Sequence, residues 1–474
     1  MRALCLELKQ LSGTLRTHQT LRFCSRICQQ FAATRHASIR CEPPVRRPFS
    51  STIRVEQARP HARPYSTDVR DFFKSEDVVP LSGFVDLSPR RGLIEVTGPD
   101  AKRFLHGLLT NEPPEGPDGV YAVFLNVKGR ILYDVFIYPT LHNPKWVKTN
   151  ASADSDAQTY LIECDNLIAD KLLKYMTFRK LRDKVNIKKR NDWKVWFAWE
   201  DDIQNLQDRQ AAHQPTELDL FPFLVKTPNF IGADDTRAPG FGVRMVLSND
   251  AESPLWPLRV YEEGRVENFV KSDLHTYDIR RIEYGIPEGL DDFKPDDLLP
   301  METCIDMMGG INFSKGCYVG QELTTRAKRV GITRKRLLPY SLYDLQSETP
   351  PESIQYLTGF TLPLNQIIEY RSPIVAAGDK PKLNSRGEVA RSIGRIISIK
   401  NNIGLAIVSM DWIEKGPFAE RSRVVPHTEN GDLFLKDADN ADEHKGIGIR
   451  FFKPYWWQDA EGVHNNLKSA EETD

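Results

Sequence analysis

Hydrophobic and polar positions alternate over 92–98 (GLIEVTG), the period-two signature of a half-buried strand. Pro99 follows at a first-helical-turn position. Ala101, Phe104, Leu105, Leu108 and Leu109 then recur at i, i+3, i+4, i+7 and i+8, which lays one apolar stripe along a short helix. Residues 120–139 (VYAVFLNVKGRILYDVFIYP) read as two strands joined at Val127-Lys128-Gly129, with Gly129 supplying the left-handed backbone angle. A polar loop over 143–158, a strand at 160–165 (YLIECD), a helix at 166–178 and a strand at 184–189 (KVNIKK) follow. The order strand, helix, strand, strand, strand, helix, strand contains a split β-α-β pattern of ferredoxin-like type with one extra strand.

A second set of strands opens at 192–200 (DWKVWFAWE) and resumes at 241–247 (FGVRMVL). Between them, about 201–228 lacks sustained periodicity and reads as a polar surface insertion. Residues 273–286 (DLHTYDIRRIEYGI) predict a helix ended by Gly285 and Pro287. From Leu337 the pattern changes to short strands and turns, with a hairpin signal at Asn401-Asn402 and a closing strand in IGIRFFKPYW, so 338–456 reads as a small all-β domain. The expected organisation is a leader at 1–65, an α+β region at 66–336, a β domain at 337–457 and a frayed acidic tail at 458–474.

Composition changes this picture mainly at the beginning of the chain. Residues 1–65 hold eleven Arg and one Lys against only Glu7, Glu42 and Glu56. That balance, with frequent Ser, Thr and Gln and Leu and Phe at helical intervals, predicts a mitochondrial transit peptide with processing near 65 (RPYSTD) or 49 (RPFSST). The other reading is a basic tail that binds nucleic acid. Of 64 basic and 65 acidic residues in all, 52 and 62 lie beyond 65, a net charge near −10 that disfavours general nucleic-acid binding. Residues 326–336 (RAKRVGITRKR) are the basic run through which an RNA contact would have to act. No run of 18 apolar residues exists, so no membrane span is expected.

Seven cysteines, Cys5, Cys24, Cys28, Cys41, Cys164, Cys304 and Cys317, match no zinc or disulfide framework. Three lie beyond the expected leader, too few for a secreted scaffold, which predicts a reducing compartment. Cys164, within an alternating strand, and Cys304, amid apolar residues, read as core. Cys317 differs. In SKGCYVGQELTTR (314–326) it has Gly316 and Gly320 for neighbours, Lys315 two residues before it, and Arg326, Lys328 and Arg329 after it. Glycines permit close approach, and positive charge favours the thiolate that attacks electrophiles and binds iron. Two readings are open: a reactive or ligating thiol, and a small buried hydrophobe. One thiolate does not hold an iron–sulfur cluster, so a ligating Cys317 needs further ligands from a partner or a small thiol.

The stretch Lys315, Gly316, Cys317, Tyr318, Val319, Gly320, Gln321, Glu322 resembles the K-G-C-aromatic-x-G-Q-E signature of a family of folate-binding, aminomethyltransferase-like proteins. That family includes bacterial YgfZ and mitochondrial iron–sulfur assembly factors and is related to the T-protein of glycine cleavage. Residues 96–112, 125–138, 277–289 and 331–337 fall in family order, so the likeness covers most of 82–337 and weakens through the β domain. The resemblance implies an α+β ring of ferredoxin-like modules around a central pocket, followed by a C-terminal β-barrel. It implies assembly of 4Fe–4S clusters in the mitochondrial matrix, with A-type scaffold proteins as partners and aconitase-like and radical enzymes such as lipoyl and biotin synthases as recipients. A transient cluster shared through Cys317 is the implied metal site.

The alternative is a folate-dependent one-carbon transferase. Asp134 falls where T-proteins carry a catalytic aspartate, although they have Asp-Asp where this chain has Tyr133-Asp134. A carboxylate suits a pterin, whose ring N–H and amino group both donate to it. The resemblance therefore makes Asp134 and Glu283 candidate tetrahydrofolate ligands. A strand-edge aspartate facing water and a helix-surface glutamate are the plainer readings of the same two residues.

Overall fold

Odd and even residues of the central strands go to two different cores, and this parity builds the molecule. The computed structural model describes residues 79–150, 158–201, 231–249, 269–330, 333–345, 349–361, 367–376, 384–385, 389, 392–414, 422–425 and 446–457. The expected transit segment, nearly all of the 201–228 insertion and the acidic tail lie outside the described residues.

One antiparallel sheet contains β2 (Arg91–Gly98), β3 (Val120–Leu125), β4 (Ile131–Pro139), β5 (Gln158–Asp165) and β6 (Asn186–Arg190), in the order β3-β4-β5-β2-β6. Ile94, Val96, Ala122, Phe124, Val135, Ile137, Ile162 and Cys164 face one way. They pack under helices α1 (Ala101–His106) and α3 (Ala169–Arg179). Leu93, Tyr121, Val123, Phe136, Tyr138 and Leu161 face the other way, into a second core. A strand buried on both faces explains the near-continuous apolar runs in the sequence.

The second core is closed by another sheet, built from β1 (Ser82–Asp86), β7 (Trp193–Glu200), β8 (Gly232–Asp234), β9 (Val243–Ser248) and β10 (Val270–Lys271) in the order β10-β1-β7-β9-β8. Val195, Phe197, Trp199 and Val246 meet the inner face of the first sheet, and α4 (Leu274–Glu283) adds Tyr277, Ile279 and Ile282. Asp273 caps α4, its carboxylate accepting from the Thr276 N–H at 2.8 Å. The one-turn α5 (Gly289–Asp292) follows.

Beyond α6 (Gln321–Val330), strands β11 (Lys335–Asp344), β12 (Pro373–Ala376), β13 (Gly394–Lys400), β14 (Ile403–Ser409), β15 (Ser422–Val424) and β16 (Ile447–Phe451) close a barrel in the order β11-β14-β13-β12-β15-β16, with the short α7 (Met410–Glu414) beside it. Leu337, Leu338, Ile397, Leu405 and Trp456 join the barrel to the inter-sheet core. The β13–β14 hairpin turns at Asn401, whose φ is 55°, as the Asn-Asn signal predicts. The fold is thus α+β with a closed six-stranded C-terminal barrel.

The polar loop expected at 143–158 begins with a helix, α2 (Pro144–Asn150). Asn143 caps it through the Trp146 N–H at 2.9 Å, Pro144 supplies its first turn, and buried Trp146 anchors it.

Candidate functional site

The signature loop is held down along its length by the segment that ends α1. The Asn312 N–H donates to the Thr110 carbonyl at 2.9 Å and the Val319 N–H to the Gly107 carbonyl at 3.2 Å. The Thr110 hydroxyl donates to the Gly310 carbonyl at 2.7 Å. Lys315 is buried, and its ammonium donates to the carbonyls of His106, Leu109 and Asn111 at 2.8, 2.8 and 3.1 Å. These are carbonyls at and just past a helix end, where partners inside the helix run out and a cation is favoured. Burial lowers the Lys315 pKa to about 8, against the pull of nearby Glu112. The three carbonyls favour the charged form and add to that pull.

Of the two glycines of the motif, Gly320 is sterically required and Gly316 packs closely against a side chain. A Cβ on Gly316 would come within 2.9 Å of Nε2 of His106. Gly320 has φ +81°, and a Cβ there would lie 2.4 Å from the Asn126 carbonyl oxygen. The loop therefore fits into the β3–β4 turn, where Gly129 (φ +70°) takes the left-handed angle expected of it. Tyr318 is buried, under the Lys315 ammonium at 5.0 Å from its ring centre, and burial pushes its pKa to about 12. Gln321 and exposed Glu322 open α6, where an acidic side chain complements the helix N-terminus.

Cys317 stands exposed at the tip of this clamped loop. Cys164 and Cys304 are buried, with thiol pKa values pushed up to about 12, which keeps both protonated. Among the described residues, no three His, Cys, Asp or Glu side chains form a metal-holding group. Ligands additional to Cys317 must come from another molecule. Beside the loop, Nδ1 of His106 meets Glu112 at 2.7 Å, a pair that sequence reading missed because neither residue lies in the motif.

The two sheets enclose a network of buried charge. Asp134 is buried rather than facing water at a strand edge: it shares the inner parity of Phe136 and Tyr138 on β4. Its Oδ2 accepts from Arg91 at 3.0 Å and its Oδ1 from the Gly289 N–H at 3.0 Å. Arg91 also donates to Glu163 at 2.7 Å. Arg244 bridges Glu163, Asp235 and Glu288, and Arg237 meets Asp235 at 2.7 Å and Glu288 at 2.9 Å. Burial alone pushes Glu288 up, but Arg244, Arg237, Arg91 and Arg281 together hold its carboxyl well below the usual range.

Sequence reasoning selected Glu283 and missed Glu288, five residues on. Glu283 is half-buried at the end of α4 and shares no ion pair or hydrogen bond with Asp134 among the described residues. Burial raises its pKa to about 8, a rise opposed by the nearby Arg280 guanidinium and aided by Asp201. The inner parity of strands β2, β4, β5 and β9 was the available signal: Arg91, Asp134, Glu163 and Arg244 are charges placed at apolar positions.

These residues do not present a pterin with a free carboxylate. Both Asp134 oxygens are engaged, and Glu163, Asp235 and Glu288 are each held by arginine. Nη2 of Arg91 and the Tyr121 hydroxyl are buried without a partner among the described residues. The polar groups left over beside Asp134 are therefore an arginine N–H and a phenol, not the acceptor pair predicted from sequence. The buried carboxylate oxygen left over among the described residues is Oδ1 of Asp292, whose other oxygen is held by Arg281 and the Glu288 N–H.

No protein-family model matches the chain. Among curated proteins it is 36% identical to the iron–sulfur cluster assembly factor IBA57 homolog, mitochondrial, of Neosartorya fischeri, over 74% of this chain and 76% of the relative. It is 33% identical to the protein of the same name in Aspergillus oryzae, over 87% and 91%. The Neurospora crassa protein of that name is 30% identical over 87% and 85%. A solved structure of glycine cleavage system aminomethyltransferase T from Bartonella henselae superposes at a TM-score of 0.47 with 14% identity, over 79% of this chain and 86% of that one. Identity at this level over most of both lengths places the chain in the IBA57 family of mitochondrial iron–sulfur cluster assembly factors.

Proposed function

We propose that this chain acts in the mitochondrial matrix as a non-enzymatic factor for 4Fe–4S cluster assembly, with Cys317 supplying one thiolate to a cluster carried by an A-type scaffold protein. Apo forms of aconitase-like and radical enzymes are the proposed recipients. The observation that carries the reading is the exposed sulfur on a loop whose lysine, tyrosine and glycines are all fixed. A ligand presented this way loses little freedom on binding metal, so most of its interaction energy is retained as affinity. Lys315, Gly316, Tyr318 and Gly320 hold the loop in this scheme, while Gln321 and Glu322 start the helix beside it.

The test is spectroscopic. The chain is mixed with a 2Fe–2S-loaded A-type scaffold, and visible circular dichroism follows the shared cluster for wild type and for Cys317→Ser. The serine variant should lose the mixed signal and fail to restore aconitase, with a melting temperature unchanged because the side chain is exposed. Normal aconitase maturation by the variant would remove Cys317 from the ligand set. The one-carbon transferase reading needs Asp134 free to meet folate, and the Arg91 and Gly289 contacts weigh against it.

A further inference from the structure

Helix α3 has an outer face that no element of the described fold covers. Ala169, Leu172 and Met176 are buried under it, against the first sheet. The opposite face shows Leu167, Lys171, Lys174 and Phe178 at i, i+4, i+7 and i+11, and the turn beyond adds Leu181 and Arg182. Leu167 is 76% exposed, Phe178 82% and Leu181 88%, which are three of the four most exposed large apolar side chains among the described residues. Leu181 is held there by a left-handed backbone, φ 45°. Such a conformation is costly for a branched residue, and nothing in the described fold packs on the side chain it projects.

The charge around these side chains is as uneven as their exposure. Residues 169–190 contain nine Lys and Arg against Asp170 and Asp183, in a chain that beyond residue 65 holds 52 basic and 62 acidic residues. The two acids are already paired, Asp170 with Lys189 at 2.7 Å and Asp183 with Arg103 at 2.5 Å. Glu95 takes Lys188 and Arg190. Among the described residues, Lys171, Lys174, Lys180, Arg182 and Lys184 have no carboxylate within ion-pair distance. Strand β6, which carries Lys188 and Lys189, is also the free edge of its sheet, so this cationic face is continuous with an exposed border.

We propose that the outer face of α3 and the turn after it dock on an anionic phospholipid surface, with Phe178 and Leu181 entering the interface and the lysines and arginines meeting the headgroups. Separated apolar side chains standing among cations suit a bilayer interface, which closes around each of them without a complementary pocket. A helix of about 16 Å lying flat presents the whole stripe at one depth. Each lysine or arginine near such a surface adds attraction that salt weakens. A nucleic-acid partner would use the same cations but has no use for Leu167 and Leu181, which offer neither a hydrogen bond nor a ring to stack. No helix among the described residues is long and apolar enough to cross a membrane, so the contact is peripheral.

The experiment is flotation of the full chain with vesicles of three parts phosphatidylcholine to one part phosphatidylglycerol, and with phosphatidylcholine alone. Wild type should float with the anionic vesicles only, and raised salt should release it. Phe178→Ser with Leu181→Ser, and separately Lys174→Glu with Arg182→Glu, should each cut the bound fraction about tenfold or more. All four side chains are surface ones, so the fold should melt as wild type does. Val127→Ser, an equally exposed apolar site elsewhere at 77%, should leave flotation unchanged. Wild type that does not float with anionic vesicles overturns the assignment, and so does full binding by the Phe178/Leu181 variant. Tight single-stranded RNA binding that the charge reversals abolish, with no flotation, reassigns the face to nucleic acid and equally overturns it.

Discussion

Replacing Lys315 by Met separates two roles that the motif allows for its lysine. Sequence reading makes Lys315 a counter-charge for the Cys317 thiolate. The structure directs its ammonium away, onto three main-chain carbonyls at 2.8–3.1 Å. Methionine keeps most of the buried stem but donates nothing. A hydrogen bond from a charged donor contributes about 1.5–3 kcal/mol net, and three of them at one site share a single desolvation penalty. We therefore expect Lys315→Met to lose roughly 2–4 kcal/mol, a fall of about 2–5 °C in Tm for a chain of this size. The assay is a thermal melt by circular dichroism beside the pH profile of Cys317 alkylation, read as the difference from a Cys317→Ser chain. The sign with pH also follows. Burial lowers the lysine from 10.5 to about 8, so above pH 8 the folded chain releases a proton that the unfolded chain keeps. The unfolded state then binds more protons, and wild-type stability relative to the methionine variant rises between about pH 8 and 10.5. An unchanged melt with a displaced alkylation profile would refute the clamp and restore the counter-charge.

Glu283→Gln should raise Tm at pH 8 by the equivalent of about 1–2 kcal/mol and do nothing below pH 4.5. A carboxyl raised from 4.5 to about 8 stabilises the fold below pH 4.5 and loses that contribution as pH climbs to 8. A flat difference between the two chains across that range would show that Glu283 is solvated. Gly320→Ala should cost about 2–4 kcal/mol in chemical denaturation, since its Cβ would lie 2.4 Å from the Asn126 carbonyl at φ +81°; a wild-type midpoint would show that the loop yields. Asp134→Asn keeps the acceptor for the Gly289 N–H but removes a charge from Arg91, and should cost about 2–4 kcal/mol. A large change in tetrahydrofolate affinity by calorimetry, with the melt unaltered, would instead make Asp134 a ligand residue.

The parts of the fold legible in sequence were those set by local period. β2, α1 and the β3–β4 turn at Gly129 follow from alternation, helical spacing and one glycine. Helix α2 went unread because two lysines, threonine and asparagine around one tryptophan mask its single buried contact at Trp146. The contacts that hold Lys315 were not legible, because its acceptors lie 204 to 209 residues earlier in the chain. No window of sequence shows where a long side chain turns. Separation in sequence also hid Glu288, whose significance comes from arginines on β9 and in the turn before it.

Strand parity connects the silent centre of the molecule to its exposed tip. Charged residues at 91, 134, 163 and 244 occupy inner positions that apolar side chains would fill at less electrostatic cost. Their pairing is specific: Arg244 fixes where the two sheets meet by tying β5, β9 and the Glu288 turn together, and Arg91 fixes the inner face of the first sheet by tying β2 to β4 and β5. β4 also carries the turn into which Gly320 fits, and the signature loop lies on the helix that links β2 to β3. The loop that presents Cys317 therefore takes its position from the same sheet whose inner face these arginines hold in register. An apolar replacement of the whole buried set, chosen for equal volume, should keep or raise stability while loosening that register. Cluster transfer through Cys317 should fall even as Tm holds. A fully active apolar variant would show that the ion network contributes nothing to placing the sulfur.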